Sequence, residues 1–302
     1  MLSIFCPGGF YHMNPEQKVA IVTDSASSMR PEYSKVQELK VSLIPLEISF
    51  LKDRKIIPYS DFEITSEELY QKMRNSKTLP QTSGGIIGKA IETYKRLANE
   101  TNSIISIHIT SKHSTAYSSA FMAATQVMET KPELSIEVID SKSVSLGIWF
   151  LAEQAAKLAQ QGANLEEIKK KVLETIPKIG FLATPATLKN VIKGGRVPFL
   201  KGHAGNFLKI RPILGLTDGK LEEVAKTIGT GRARREIVNK IKNENNQIIK
   251  MGVFHTNDPK AAEKVRKRLA KFYSGEIPIY EAGPVIGVHA GEGTVGVVFQ
   301  KA

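Results

Sequence analysis

Short apolar runs alternate with helix-length stretches through the first half of the chain, and their order predicts the fold. Residues 19–28, VAIVTDSASS, are an apolar run closing on polar residues, the pattern of a buried parallel strand whose carboxyl end opens into a loop. A second apolar stretch, 41–50, precedes a charged turn at 52–55. Thr65-Ser66-Glu67-Glu68 has capping-box spacing and predicts a short helix through Arg74. In TLPQTSGG, residues 78–85, Pro80 holds its predecessor extended and two glycines free the chain before a helical run at 86–98. Thr82 and Ser83 are therefore expected at a helix N-terminus. A strand at 103–109 leads through Ser111, Ser114 and Thr115 into a helix ending at Met128, and a strand at 135–139 ends at Asp140-Ser141 before a helix over 144–161.

After Pro177 the pattern changes, and strands follow one another through turns. Residues 211–217, Asp218-Gly219 and 221–228 read as a β-hairpin. Further strands are expected at 247–254, 276–281 and 294–300, with helices at 185–193, 231–245 and 259–272. The predicted class is α/β with two domains: an N-terminal parallel-sheet α/β domain over 18–170 and a C-terminal α/β domain with a mixed or largely antiparallel sheet over 171–302. The boundary is placed near 161–177, where Gly162 closes one helix and Asn164 with Glu167 opens the next. Residues 1–17 read as an extension outside the fold, with Met13 as the natural start.

Composition narrows the classes. Over 302 residues, 41% hydrophobic and 24% charged residues describe a globular chain, and no run approaches the ~18 apolar residues of a membrane span. The single cysteine, Cys6, builds neither a disulfide framework nor a cysteine metal site, which suits the reducing cytoplasm where we expect the protein to reside. The opening segment makes a poor secretory signal. A net charge of +12, from 42 Lys and Arg against 30 Asp and Glu, favours anionic partners. Nucleic acid is not expected among them: aromatic content is 7% and no zinc-finger, RRM or basic-zipper pattern occurs. An anionic membrane surface, an acidic protein or an anionic small ligand remain, beside a merely solvated Lys-rich surface.

The segment 283–296, GPVIGVHAGEGTVG, holds five glycines around His289 and is expected to be a loop between strands that presents the imidazole. A lone histidine in such a turn more often fills surface or core. Its functional standing depends on the hydroxyls elsewhere, because in parallel sheets ligands bind outside the carboxyl ends of the strands. Those ends carry Asp24, Ser25, Ser111, Ser114 and Asp140, with Thr82 and Ser83 on a further helix start, where an anion is favoured; either hydroxyl is equally suited to a simple N-cap. Arg196, after Gly194-Gly195, either reaches the cleft or complements a helix dipole. Phe207 lies in an apolar segment that lines a tunnel or fills core. Asp24, Ser25, Arg196, Gly287 and Phe207 are thus secondary cleft or docking candidates. Glycine patterns for nucleotides are absent: there is no GxxxxGK[ST], and no GxGxxG follows the first strand.

Taken together, TDS at 23–25, TS at 82–83, HSTAY at 113–117, DS at 140–141, GGR at 194–196 and GPVIGVHAGEGT at 283–294 resemble the DegV family, in order and over nearly the whole chain. The resemblance implies a two-domain α/β protein that holds one long-chain fatty acid in a tunnel between its domains. Some bacterial members serve as the acyl-carrying subunit of a fatty acid kinase, whose separate catalytic subunit supplies ATP and forms an acyl phosphate. The implied carboxylate contacts are Thr82 or Ser83, Ser114 and His289, with no catalytic residue, metal or cofactor. The chain departs from the family pattern at Gly84-Gly85, where Gln-Pro is usual, and at HSTAY in place of LSGTY. The rival class is an enzyme, with Ser114, His289 and Asp24 or Asp140 as an acyl-hydrolase triad or His289 as a phosphoryl acceptor. No GxSxG elbow or phosphate-cradling loop supports it.

Overall fold

The computed structural model describes residues 19–76, 78–85, 87–197, 200, 210–244 and 247–302; the predicted extension and Phe207 lie outside the described residues. In chain order the first half contains β1 (Ala20–Asp24), α1 (Ser34–Glu38), β2 (Ser42–Ile44), β3 (Glu47–Lys52), β4 (Lys55–Ser60), α2 (Ser66–Asn75), β5 (Gln81–Ser83), α3 (Ile87–Leu97), β6 (Ser103–His108), α4 (Ala116–Thr130), β7 (Ser135–Asp140), α5 (Leu146–Gln160) and α6 (Leu165–Thr175). The second half contains β8 (Ile179–Thr184), α7 (Leu188–Lys193), β9 (Ile210–Thr217), β10 (Lys220–Ile228), α8 (Thr230–Glu244), β11 (Ile248–His255), α9 (Pro259–Leu269), β12 (Ile279–Glu281), α10 (Pro284–Ala290) and β13 (Val295–Lys301).

The expected parallel sheet is present, with order β2-β1-β6-β7. All of β1 is buried, and five of the six residues of β6, because helices cover both faces of such a sheet and leave no polar side. The second half folds on a six-stranded sheet, β10-β9-β8-β13-β11-β12, antiparallel except for β11 beside β12. The hairpin turn at Asp218-Gly219 has positive φ at both residues (46° and 79°), the twist that suits a two-residue connection. Both capping boxes form, at Thr65–Glu68 and Asn164–Glu167.

Helix α5 joins the halves. It is apolar nearly all round, with Trp149, Phe150 and Leu151 fully buried, as a helix with no solvent face should be. It packs on β1 and β6 on one side and on β8 and β13 on the other. Its one buried charge, Glu153, meets Lys157 from its own next turn and Lys250 from β11, whose ammonium lies 4.2 Å from the centre of the Phe150 ring.

Four features differ from the sequence expectation. The charged turn at 52–55 is the tip of a β3–β4 hairpin, part of a three-stranded antiparallel sheet β4-β3-β5. Thr82 and Ser83 lie not at a helix start but on β5, paired with β3, and α3 begins only at Ile87. Strand β8 was not anticipated; glycine and threonine dilute its apolar signal. Finally, 284–290 is a helix rather than a loop. Pro284 pre-sets its first turn, the buried Asp61 carboxylate accepts the Val285 N–H at 2.8 Å, and Gly291 at φ 77° ends it.

Candidate ligand-binding site

Helix α10 carries His289 in its last turn. Nε2 of His289 lies 2.7 Å from Thr82 Oγ1 of β5, so the imidazole from the second half meets a hydroxyl from the first. Its Nδ1 is buried without a hydrogen-bond partner among the described residues. Burial, with the Arg196 guanidinium and the His113 imidazole nearby, pushes His289 down to about 4, so the ring is neutral at pH 7. The ring fits against the chain at Gly194, where a Cβ would stand 2.7 Å from Nδ1. The glycine-glycine-arginine segment thus makes room for the histidine and then places Arg196 beside it.

Beyond Thr82, β5 turns through Gly84 against the start of α4. Ser114 sits just before that helix, its Oγ accepting the Ala116 N–H at 3.1 Å, which leaves its hydroxyl proton for another acceptor. The positive end of a fifteen-residue helix faces the same place. Arg196 is half-buried and donates to the Gly194 carbonyl at 2.7 Å; burial lowers its pKa, and among the described residues no carboxylate pairs with it. His113 accepts the Leu221 N–H through Nε2 at 2.9 Å, tying the β9–β10 hairpin to the first half.

These groups line one cavity of 610 Å³ between the two sheets. Thr82, Ser83, Ser114, Arg196 and His289 all border it, and most of the remaining wall is apolar, including Ile109, Val144, Phe181, Leu214 and Phe254. Its volume falls within the range of small-molecule sites.

Three of the secondary candidates lie away from this wall because the fold uses them internally. Asp24 is fully buried and accepts from Ala26 N, Ile109 N and His108 Nδ1, each at 3.0 Å. Ser25 is buried, accepts the Leu46 N–H and donates to Asp61. Gly287 packs against Tyr70, where a Cβ would be 2.4 Å from the phenol oxygen, and serves the seating of α10. A hydrolase triad is not assembled. Ser114 and His289 are not bonded to each other, Asp24 holds His108, and Asp140 holds Ser111. Among the described residues no group of three or more His, Cys, Asp or Glu side chains is placed to hold a metal, and no helix is long and apolar enough to cross a membrane.

Residues 18–302 match the DegV family of uncharacterised proteins. A DegV domain-containing protein of Staphylococcus aureus is 32% identical over 291 residues, covering 94% of this chain and 99% of that protein. The chain belongs to the DegV family. Among solved structures it is similar to a fatty-acid-binding DegV family protein of Thermus thermophilus (TM-score 0.82, 26% identity, 94% of this chain and 100% of that one). It is equally similar to DegV of Bacillus subtilis, a fatty acid binding protein (TM-score 0.82, 26% identity, 95% and 100%).

Within this DegV chain the two departures from the family pattern face each other. A Cβ on Gly84 would stand 2.1 Å from Thr115 Oγ1 and 2.7 Å from Thr115 N. The bare Gly84 thus leaves the space that the Thr115 side chain fills. Sequence reading missed Asp61 altogether. Its carboxyl joins Ser25 of the first motif to the start of the helix that carries His289. Burial raises it to about 6 against the opposing pull of those two hydrogen bonds. An isolated aspartate in a turn carries no periodic signal, and its role follows only from chain segments 224 residues apart in sequence.

Proposed function

We propose that this DegV protein binds one long-chain fatty acid in the cavity between its domains, 18–170 and 171–302, and presents the carboxylate to a separate fatty acid kinase subunit. The observation that carries the reading is an incompletely bonded donor cluster, Thr82, Ser83, Ser114 and His289 with Arg196 beside it, on the wall of a largely apolar 610 Å³ cavity. The fatty-acid-binding relatives of similar fold support the same ligand class.

The energetics divide the labour. Each buried methylene contributes roughly 0.8 kcal/mol, so ~15 of them offer on the order of 10 kcal/mol before ordering costs. A buried carboxylate gains from hydroxyl and imidazole donors, but its desolvation offsets most of that gain. The tail therefore sets affinity, and the polar cluster sets which end is presented. A carboxylate next to His289 opposes the burial that keeps the ring neutral and favours its protonation. The role is that of a cytoplasmic carrier: among the described residues Ser114 has no bonded base and His289 no orienting carboxylate. Loading from an anionic bilayer is supported by the β3–β4 hairpin, which exposes Leu51 and Ile56 beside Lys52, Arg54 and Lys55.

Calorimetric titration of a delipidated sample with a long-chain fatty acid, followed by addition of a fatty acid kinase catalytic subunit and ATP, tests both halves. The expected result is one site per chain and acyl-phosphate formation, both impaired in the Ser114→Ala, His289→Ala double variant. Equal binding and phosphorylation by that variant, or ester turnover by the protein alone, contradicts the reading.

A further inference from the structure

The cavity wall holds polar side chains beyond the carboxylate cluster, and they divide by how far the fold already bonds them. Ser111 donates to Asp140, Ser145 is bonded to Ser28, and Thr294 donates to the carbonyls of Ala290 and Gly291. Lys112 and Thr115 are exposed. His113 differs from all of these: it is half-buried on the wall and its ring is bonded through one nitrogen only.

That single bond fixes the tautomer. Nε2 accepts the Leu221 N–H at 2.9 Å, and a ring nitrogen that accepts carries no proton. Burial, with Arg196 and Lys220 nearby, holds the imidazole below its ordinary value, so the ring is neutral at pH 7 and its one proton sits on Nδ1. This N–H has no acceptor among the described residues, and unlike Nδ1 of His289 the nitrogen is not sealed from its surroundings. A donor is left open, on a ring that the β9–β10 hairpin holds in place through its other nitrogen.

The donor stands beside the carboxylate cluster. His113 directly precedes Ser114, acts on the titration of His289 and feels the charge of Arg196. Charge around it is one-sided: Arg196, Lys112 and Lys220 pair with no carboxylate among the described residues, and Asp218 at the hairpin tip is held by Lys142 at 2.6 Å. Thr82, Ser114 and His289 can serve the two oxygens and single charge of a carboxylate. A phosphoryl group joined to that carboxylate adds terminal oxygens and negative charge beyond the cluster, and so calls for further donors and a positive surrounding.

We propose that His113 is a further head-group residue, whose Nδ1–H donates to a phosphoryl oxygen once the bound acid has become an acyl phosphate. The site then holds the phosphorylated head more tightly than the free carboxylate. The inference rests on the kinase reading above and deepens it.

Calorimetric binding of palmitate and of a β-ketophosphonate isostere of palmitoyl phosphate, with a methylene in place of the labile bridging oxygen, tests it on the wild type, His113→Gln and His113→Asn. Glutamine can offer Leu221 a carbonyl oxygen near the place of Nε2 but puts no donor at that of Nδ1, whereas the asparagine amide reaches the Nδ1 place. The wild type should bind the phosphonate more tightly than palmitate. His113→Gln should weaken the phosphonate about tenfold relative to palmitate, and His113→Asn should restore part of that loss. A ring that only holds the hairpin would move both ligands together and leave their ratio unchanged. Should the variants fail to fold, proton–nitrogen correlation spectra of the wild-type histidine rings read the same point. They should show the proton of His113 on Nδ1, with that resonance shifted by the phosphonate and not by palmitate. The proposal is overturned if the ratio is the same in wild type and His113→Gln, or if the ring carries its proton on Nε2. Failure of palmitate to bind the wild type would instead overturn the fatty-acid reading, and this proposal with it.

Discussion

Two polar clusters lie at the carboxyl side of the parallel sheet, and both combine a histidine with hydroxyl groups. In the first, Asp24, His108 and Ser106 are fully buried and mutually bonded: His108 Nδ1 meets Asp24 and Nε2 meets Ser106, whose Oγ also accepts from Tyr94. In the second, His289 meets Thr82 through one nitrogen only, Ser114 retains a proton, and Arg196 has no carboxylate partner among the described residues. The first is closed and the second is open. Buried polar groups are normally satisfied, so the closed cluster reads as architecture and the open one as a place completed by something outside the chain.

The largest expected effect separates the two by stability. Asp24→Ala leaves His108 and two backbone N–H groups without their acceptor, and should lower unfolding free energy by about 3–5 kcal/mol in urea titrations. If this variant keeps its stability and loses acid binding, Asp24 belongs with the open cluster and the contrast fails.

The pH dependence sharpens the picture of how His289 is held. His289, at about 4 when folded, refuses a proton that the unfolded chain accepts near its ordinary 6.5, so acidification through this window costs stability, about 3 kcal/mol by pH 4. Asp61, at about 6 when folded against an ordinary 3.8, takes up a proton before the unfolded chain does, so acidification through pH 6 adds about 2 kcal/mol by pH 4. The two largely cancel in the ligand-free protein. Asp61→Asn should remove the gain, and its stability should fall relative to wild type as pH drops from 6.5 to 4. Parallel urea-unfolding profiles for the two proteins would show that Asp61 does not titrate as described.

A smaller effect tests the seam between β5 and α4. Gly84→Ala drives a methyl into Thr115 and should cost about 1–3 kcal/mol. Thr115→Gly should recover most of that loss in the double variant, a coupling that a double-mutant cycle measures directly; additive losses would mean that the two positions do not share space. Smallest of all, Thr82→Val keeps the shape of the side chain in β5 and removes one neutral hydrogen bond. It should change stability by only about 1 kcal/mol by thermal unfolding, and a loss as large as that of Asp24→Ala would erase the distinction between open and closed clusters.

Much of the fold was legible in the sequence, because parallel strands buried on both faces and capped helices leave local signals. The apolar run at 19–22 and the boxes at Thr65 and Asn164 depend only on neighbours in sequence. Helix α10 did not read as one, because Gly287, Gly291 and the proline suggest a loop; the glycine is there to admit Tyr70, and Asp61 stabilises the first turn from outside. Thr82 looked like an N-cap because Gly84-Gly85 precede a helix, whereas pairing with β3 makes it a strand residue. The hydroxyl and imidazole types of the site were visible as motifs. Which of them face a cavity was not, since Asp24 and Ser114 look alike in sequence and differ only in how completely the fold bonds them.

Native mass spectrometry of the purified protein is the most direct test of whether the open cluster and its cavity hold an acyl chain. We expect a population carrying one noncovalent long-chain fatty acid per chain, released on denaturation and much reduced in the Ser114→Ala, His289→Ala double variant. Wild-type protein that carries no acyl mass, even after incubation with a long-chain fatty acid, would contradict it.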